Sequence, residues 1–513
     1  MPKAAGVSGQ KTEGKIMRKS LVVLALAGAL AMTTALTPAF AQARTDVKVG
    51  LVLEPPSLDP TAEAAAATDE VVYANVFEGL TRFAADGSIL PDLAKSWDIS
   101  DDGLTYTFHL VEGAKFHDGT DFNADDVKFS LDRINAEGSL NAQKALYASI
   151  ASVEVVDPAT VKVTLKQPDG NLIYNLAWGD AVIVAPESAD NNKTNPIGTG
   201  PFVFKDRVEG DSITLEKNQS YWGTPAKLES ATFRFIGDPT AAFGAVQAGD
   251  VDAFPNFPSL DSIEQFKSDP RFRVVVGSTE GETILAMNNA KPPLDNIKVR
   301  EAIAHAVNRE DLINGAMSGY GIPIGTFLPP SNKDYVDFTA QSNFDPEKSK
   351  ALLAEAGWDP NTVLSLKLPP VEGYARRGGE IIAQELAAVG IKTETTNLDW
   401  SPWLDEVFTK KDFDLTIISH TEPNDIGIFA RPDYYFGYKN DEFNKIIADL
   451  AVTADPAKRS ELTKAAAKNL ADNYVVGFLF ELPKVGVENA KLKGMWENAP
   501  TQATDLTAVY WEQ

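Results

Sequence analysis

Residues 365–397, SLKLPPVEGYARRGGEIIAQELAAVGIKTETTN, decide the fold class. Residues 365–368 read as a strand that stops at Pro369-Pro370, 379–389 as a helix, and 392–397 as a second strand, a β-α-β unit. A further strand follows at 414–419, and helices are expected at 297–307, 346–356 and 441–451. This rhythm over roughly the last 200 residues implies a separate α/β lobe. Upstream, 47–53 alternates into a strand that ends at Glu54-Pro55-Pro56. Leu104, Tyr106, Phe108 and Leu110 share one face of another strand. Residues 125–133 form a short helix opened by acids, as the helix dipole prefers. Residues 153–156 and 160–165 pair as a hairpin around Asp157-Pro158. The whole chain reads as α/β with mixed sheets. No repeat, low-complexity tract or long linker interrupts it, so the chain is expected to cross between lobes more than once through short hinge strands.

The 513 residues allow two or three packed units and a large core, and 44% hydrophobic with 23% charged residues argues against long disorder. The formal net charge of −25 repels phosphate backbones and anionic lipids, so neither nucleic acid nor a membrane surface is an expected partner. That charge says nothing about the ligand; it reads as a solvated acidic face. Cysteine is absent, which removes disulfides, thiolate metal sites, a cysteine nucleophile and a lipidated N-terminus. Residues 1–42 read as a processing segment. Met17-Arg-Lys-Ser gives a positive start, residues 21–36 are apolar but short of a bilayer span, and Ala39-Phe-Ala41 before Gln42 fits a cleavage site. Met17 is the expected start, with 1–16 an upstream extension. A cleaved Sec signal and a soluble mature protein held in a periplasm are expected.

Catalytic patterns fail one by one. There is no GxSxG elbow, no HExxH and no GxxxxGK[ST] loop. Asp98 to Gly103 starts like a calcium loop, yet His109 stands where the twelfth-position glutamate should be. The four histidines, His109, His117, His305 and His420, fall in unrelated segments, so no metal centre is expected. No enzyme activity, catalytic residue or cofactor is expected.

A run of motifs does carry a resemblance. In order they are Pro56-Ser-Leu-Asp-Pro60, Phe77-Glu-Gly-Leu80, Leu90-Pro-Asp-Leu-Ala-Lys-Ser-Trp97 and Asp101-Asp-Gly-Leu-Thr-Tyr-Thr-Phe-His-Leu110. Phe116-His-Asp-Gly-Thr120, Ala124-Asp-Asp-Val-Lys-Phe-Ser-Leu131, Gly198-Thr-Gly-Pro-Phe202 and Asn218-Gln-Ser-Tyr-Trp-Gly223 follow. Gln247-Ala-Gly-Asp-Val-Asp252, Val299-Arg-Glu-Ala-Ile303 and Asp345-Pro-Glu-Lys-Ser-Lys-Ala-Leu-Leu353 complete the series. Nearly end to end, the chain resembles the peptide-type (family 5) solute-binding proteins of ABC importers, which include oligopeptide-, dipeptide- and nickel-binding members. Most of these motifs read as structural, with Trp97 and Trp222 as core anchors.

The resemblance implies a two-lobed periplasmic-binding-protein fold, type II-like, with an extra domain inserted in the first lobe. It places the base of lobe one at 43–81, 195–280 and 483–513, the insertion at 82–194, and lobe two at 281–482. It also implies a monomer that captures a short peptide or peptide-like solute between its lobes and delivers it to a permease. A sugar conjugate, an opine-like compound or a metal chelate is the alternative cargo. Glu422, in Ile418-Ser-His-Thr-Glu422-Pro-Asn-Asp425, falls where peptide-binding members carry the aspartate that pairs with a peptide ammonium. Ser419 replaces their tryptophan, and His420 lies in a stretch where nickel-binding members use a histidine. Further ligand candidates are Asp425, Trp400 and Trp403, Tyr374 and Arg377 ahead of a helix, Asn288 near a cleft-facing strand, and Glu54 beside the hinge.

Overall fold

The computed structural model describes residues 44–62, 65–421, 424–453 and 455–513. The processing segment expected over 1–42 therefore lies outside the described residues, as does Glu422.

The β-α-β unit forms as its pattern predicts. Val363–Leu368 pairs parallel with Lys392–Asn397 across the helix Gly378–Ala388. Leu364, Leu366 and Leu368 point inward, and Ile382 and Leu386 of the helix close over them in one apolar cluster. Leu415–His420 then joins the other edge of Val363–Leu368. The resulting six-stranded sheet is completed by Glu282–Met287, Val476–Glu481 and the short Ile322–Pro323.

A second, seven-stranded sheet is built around Asp46–Leu51, which lies parallel to Ser230–Phe235 on one side and Ala253–Phe254 on the other. A third, four-stranded antiparallel sheet carries Thr105–Leu110 and the hairpin Ile150–Asp157/Thr160–Leu165. The helix Ala124–Asn135 packs on it, held at its start by an Asn123–Asp126 capping box. The expected α/β class and two-lobed architecture are borne out, with the expected strands and helices found within three residues of their sequence bounds.

The longest helix, Pro456–Asp472, is missing from the sequence reading. Asp455 caps it and Pro456 opens it, both good start signals, but its buried face is mostly alanine, so its apolar period is faint.

Three of the sequence motifs meet at one buried carboxylate. Thr199 donates to Glu78 at 2.7 Å, Tyr221 at 2.6 Å, and the Trp222 indole N–H at 2.8 Å. Three donors offset the cost of burying that side chain and lock the motifs together, which makes them structural devices.

The chain passes between the two large sheets twice. Phe272–Gly277 of the seven-stranded sheet leads into Glu282–Met287 of the other, and Val476–Glu481 returns through Leu482-Pro483 into Lys484–Asn489. The crossings are tied together: Leu482 donates its backbone N–H to Gly281 at 2.7 Å, and the Thr279 hydroxyl donates to the Leu482 carbonyl at 2.5 Å.

Candidate ligand-binding cleft

Beside these crossings lies a cavity of about 630 Å³. It is lined from the first lobe by Asp69, Glu70, Trp178 and Asp180, and from the crossings and second sheet by Thr279, Glu280, Thr421 and Leu482. The helix Ala66–Val72 explains the first two acids. Ala67, Thr68, Val71 and Val72 are buried on one face, which leaves Asp69 and Glu70 on the other, toward the cavity. Asp180 sits on a turn whose backbone is held by Asn141, which donates to the Asp180 carbonyl at 2.7 Å. Gly179 lets Asp69 approach that turn, because a Cβ there would stand 2.2 Å from Asp69 Oδ1.

The cavity has an unusual charge. Asp69 Oδ1 is buried with no hydrogen-bond partner among the described residues. Asp180 is 6% exposed, and the hydrogen bond to its carboxylate comes from its own backbone amide. Glu70 accepts only a long 3.4 Å bond from Asn256. Behind Glu280, Glu282 and Glu481 stand directly opposite each other on paired strands, and each has a buried Oε2 with no partner among the described residues. Burial pushes Glu70, Asp180, Glu280 and Glu481 each up to about 7. Asp69 is raised by burial and by Asp180, and Glu282 by burial and by Asp425 and Glu280. Lys484 is the basic residue among the described lining. Burial lowers it to about 8, and it is committed to the backbone carbonyls of Trp496 at 2.6 Å and Asn498 at 3.5 Å.

The residues singled out in the sequence are spread over several places. Ser419 lies next to the crossing and accepts from the Thr283 hydroxyl at 3.3 Å. Its backbone amide meets the Tyr374 hydroxyl, whose pKa burial pushes up to about 12. His420 is buried on the other face of the strand, 3.0 Å from the Tyr435 hydroxyl and 3.8 Å from Asp425, and burial lowers it to about 4. That segment reaches the cavity through Thr421.

The others do not line the cavity. Trp403 is buried in the second lobe, donating its indole N–H to Thr416 at 3.0 Å, and the half-exposed Trp400 packs edge-on against it. Asn288 lies at the far end of Glu282–Met287, its amide donated to the carbonyls of Lys411 and Phe413. Glu54 is held in the first lobe by Arg207 at 2.6 Å and by the Gly210 amide. Arg377 reaches Asp261 at 3.4 Å instead of the cavity.

Sequence reasoning misses Asp69, Glu70, Trp178, Asp180, Glu280, Glu282 and Glu481. For Glu282 and Glu481 a signal exists, since each is a charge at the end of an otherwise buried strand, ETILAM or VGFLFE.

Comparison with known proteins adds an independent line. The profile of the bacterial extracellular solute-binding proteins, family 5 Middle, matches residues 88–445. The glutathione-binding protein GsiB of Escherichia coli strain K12 is 32% identical over 462 residues, 85% of this chain and 89% of that protein. Among solved structures, the ABC transporter-associated periplasmic binding protein DppA from Helicobacter pylori, in complex with the peptide STSA, matches with a TM-score of 0.77 at 25% identity. That match covers 92% of this chain and 99% of DppA. AgaA from A. tumefaciens R10, in complex with agropinic acid, matches with a TM-score of 0.73 at 26% identity, over 91% of this chain and 99% of that one.

Proposed function

The chain belongs to the family 5 bacterial extracellular solute-binding proteins, and from that premise we propose that it closes its two lobes on a peptide-like solute in the cavity at the strand crossings. Its role is that of the substrate-binding protein of an ABC importer. The observation that carries the proposal is a cavity of about 630 Å³ lined from both lobes beside two short crossings, where hinge rotation opens and shuts it. The closed form then docks on permease subunits, the protein working as a monomer in the periplasm without turning over its ligand. The lobes are proposed to follow the boundaries given above, and Glu422 remains a proposed ammonium partner on sequence position alone.

A related cargo, such as an opine-like compound, is the second reading, favoured by the likeness to AgaA with its agropinic acid.

Native mass spectrometry of protein purified without refolding tests the proposal by looking for one co-purified small molecule. Adding that molecule back in excess should reduce the radius of gyration in small-angle scattering, and an unchanged profile at saturation would count against a receptor that works by closing. The exported protein is also expected to begin at or near Gln42, read by intact mass. Recovery of the uncleaved chain from the cytoplasm would contradict the export reading.

A further inference from the structure

We propose that the cavity selects a peptide-like ligand carrying at least two cationic nitrogen groups, which its carboxylates neutralise from two sides. This rests on the receptor reading above and narrows its ligand class. From the first lobe come Asp69, Glu70 and Asp180; from the crossing comes Glu280, with Glu282 and Glu481 behind it.

Two features separate this set from a solvated acidic surface. Asp180 is 94% buried and lines the cavity, and its own backbone amide, no cation, is what meets its carboxylate among the described residues. Asp69 and Glu282 each hide an oxygen with no partner among the described residues, where an unanswered polar atom is costly. Lys484, the basic residue among the described lining, acts on Glu70 and is hydrogen-bonded to two backbone carbonyls. A folded protein retains such a set when something else supplies the countercharge.

The acids also enter from different elements. Asp69 and Asp180 meet across Gly179, while Glu280 and Glu282 act on each other and on Tyr174 from the crossing. Two cationic groups on one molecule, one toward each set, answer both. No three of the described acids converge tightly enough to hold a metal ion, so organic cations are the class that fits. Trp178, whose buried indole N–H has no partner among the described residues, offers a donor for a ligand carbonyl between them.

The test is calorimetry at pH 8 on the mature protein with lysyl-lysine, alanyl-alanine and glutathione, which share peptide bonds and differ in charge. Lysyl-lysine should bind at least a hundredfold more tightly than either of the others. Asp180→Asn and Glu280→Gln should each weaken it tenfold or more while leaving alanyl-alanine nearly unchanged. Asp69→Asn serves if either variant fails to melt cooperatively. If alanyl-alanine or glutathione binds and closes the protein as well as lysyl-lysine does, the charge inference falls and the receptor reading stands. If none of the three binds and no solute co-purifies, both fall.

Discussion

At pH 8, in the absence of ligand, Glu282→Gln is expected to melt at a higher temperature than the natural protein, with a gain of roughly 1–3 kcal/mol. That is the range for relieving an unsatisfied buried polar group. Glu282 is 4% exposed, its Oε2 has no partner among the described residues, and Glu481 faces it across the strand pair with a second such oxygen. Like charges directly opposite in a ladder destabilise it. Glutamine keeps the shape, removes one charge and can donate to Glu481. The gain must depend on pH. Burial raises the folded-state pKa of this carboxylate above its unfolded value, so the folded form prefers it protonated. The cost of ionising it is absent below the unfolded value of about 4.3 and grows as pH rises toward the folded one. Glu70, Asp180, Glu280 and Glu481, each near 7, add to the same trend. The ligand-free natural protein should therefore lose stability between about pH 5 and pH 8. The variant should show a shallower loss, and the two melting curves should converge near pH 5. Calorimetric melts across that range decide it, and parallel curves would show that Glu282 is not held as an unanswered acid. A ligand that supplies the missing countercharge should remove most of the slope, which ties the instability of the empty cleft to its binding role.

The same buried acids explain what was legible in the sequence and what was not. Thr105–Leu110 and Val363–Leu368 are covered on one face only, so alternation marks them. Glu282–Met287 and Val476–Glu481 are buried at every position, and a strand covered on both faces has no period to read. These two strands carry the crossings, so the part of the fold that positions the site was the part without a pattern. The motifs led correctly to the family because they hold packing together, as Glu78 does for Thr199, Tyr221 and Trp222. The cavity acids have no such company. Among 72 aspartates and glutamates, Asp69, Glu70, Asp180 and Glu280 look like ordinary loop and helix-surface acids until the fold brings them to one cavity. Trp403 shows the reverse: an aromatic in the right region, whose indole is needed in the core by Thr416.

Gly170→Ala should lower ligand affinity without touching the cavity. Among the described residues, the lobes touch on two flanks beyond the crossings. On one flank Tyr320 and Ser318 of the second lobe donate to Glu264 at 2.5 Å and Asp261 at 2.6 Å, with Arg377 beside them. On the other, the Gly170 amide donates to the Ala451 carbonyl at 3.1 Å, and Arg459 hydrogen-bonds to Asn171 while holding the carbonyls of Leu450 and Thr453. A Cβ on Gly170 would stand 2.0 Å from Arg459 Nη1 and 2.2 Å from the Thr453 carbonyl oxygen, so this contact cannot close unchanged around alanine. Hinge opening separates the two surfaces, and there the methyl group meets nothing. The substitution therefore penalises the closed state alone, by roughly the 1–3 kcal/mol of an overpacked contact. Since only the closed fraction holds ligand fully, apparent affinity falls by that fraction, about 5- to 160-fold. The melting temperature of the free protein should stay where it was if its free state is open. Scattering should show the larger, open radius at ligand concentrations that close the natural protein, and recover the smaller one at proportionally higher concentrations. Weaker binding that no amount of ligand converts to closure would point to a damaged site instead. Unchanged affinity would mean that this flank is not part of the closed state that ligand selects.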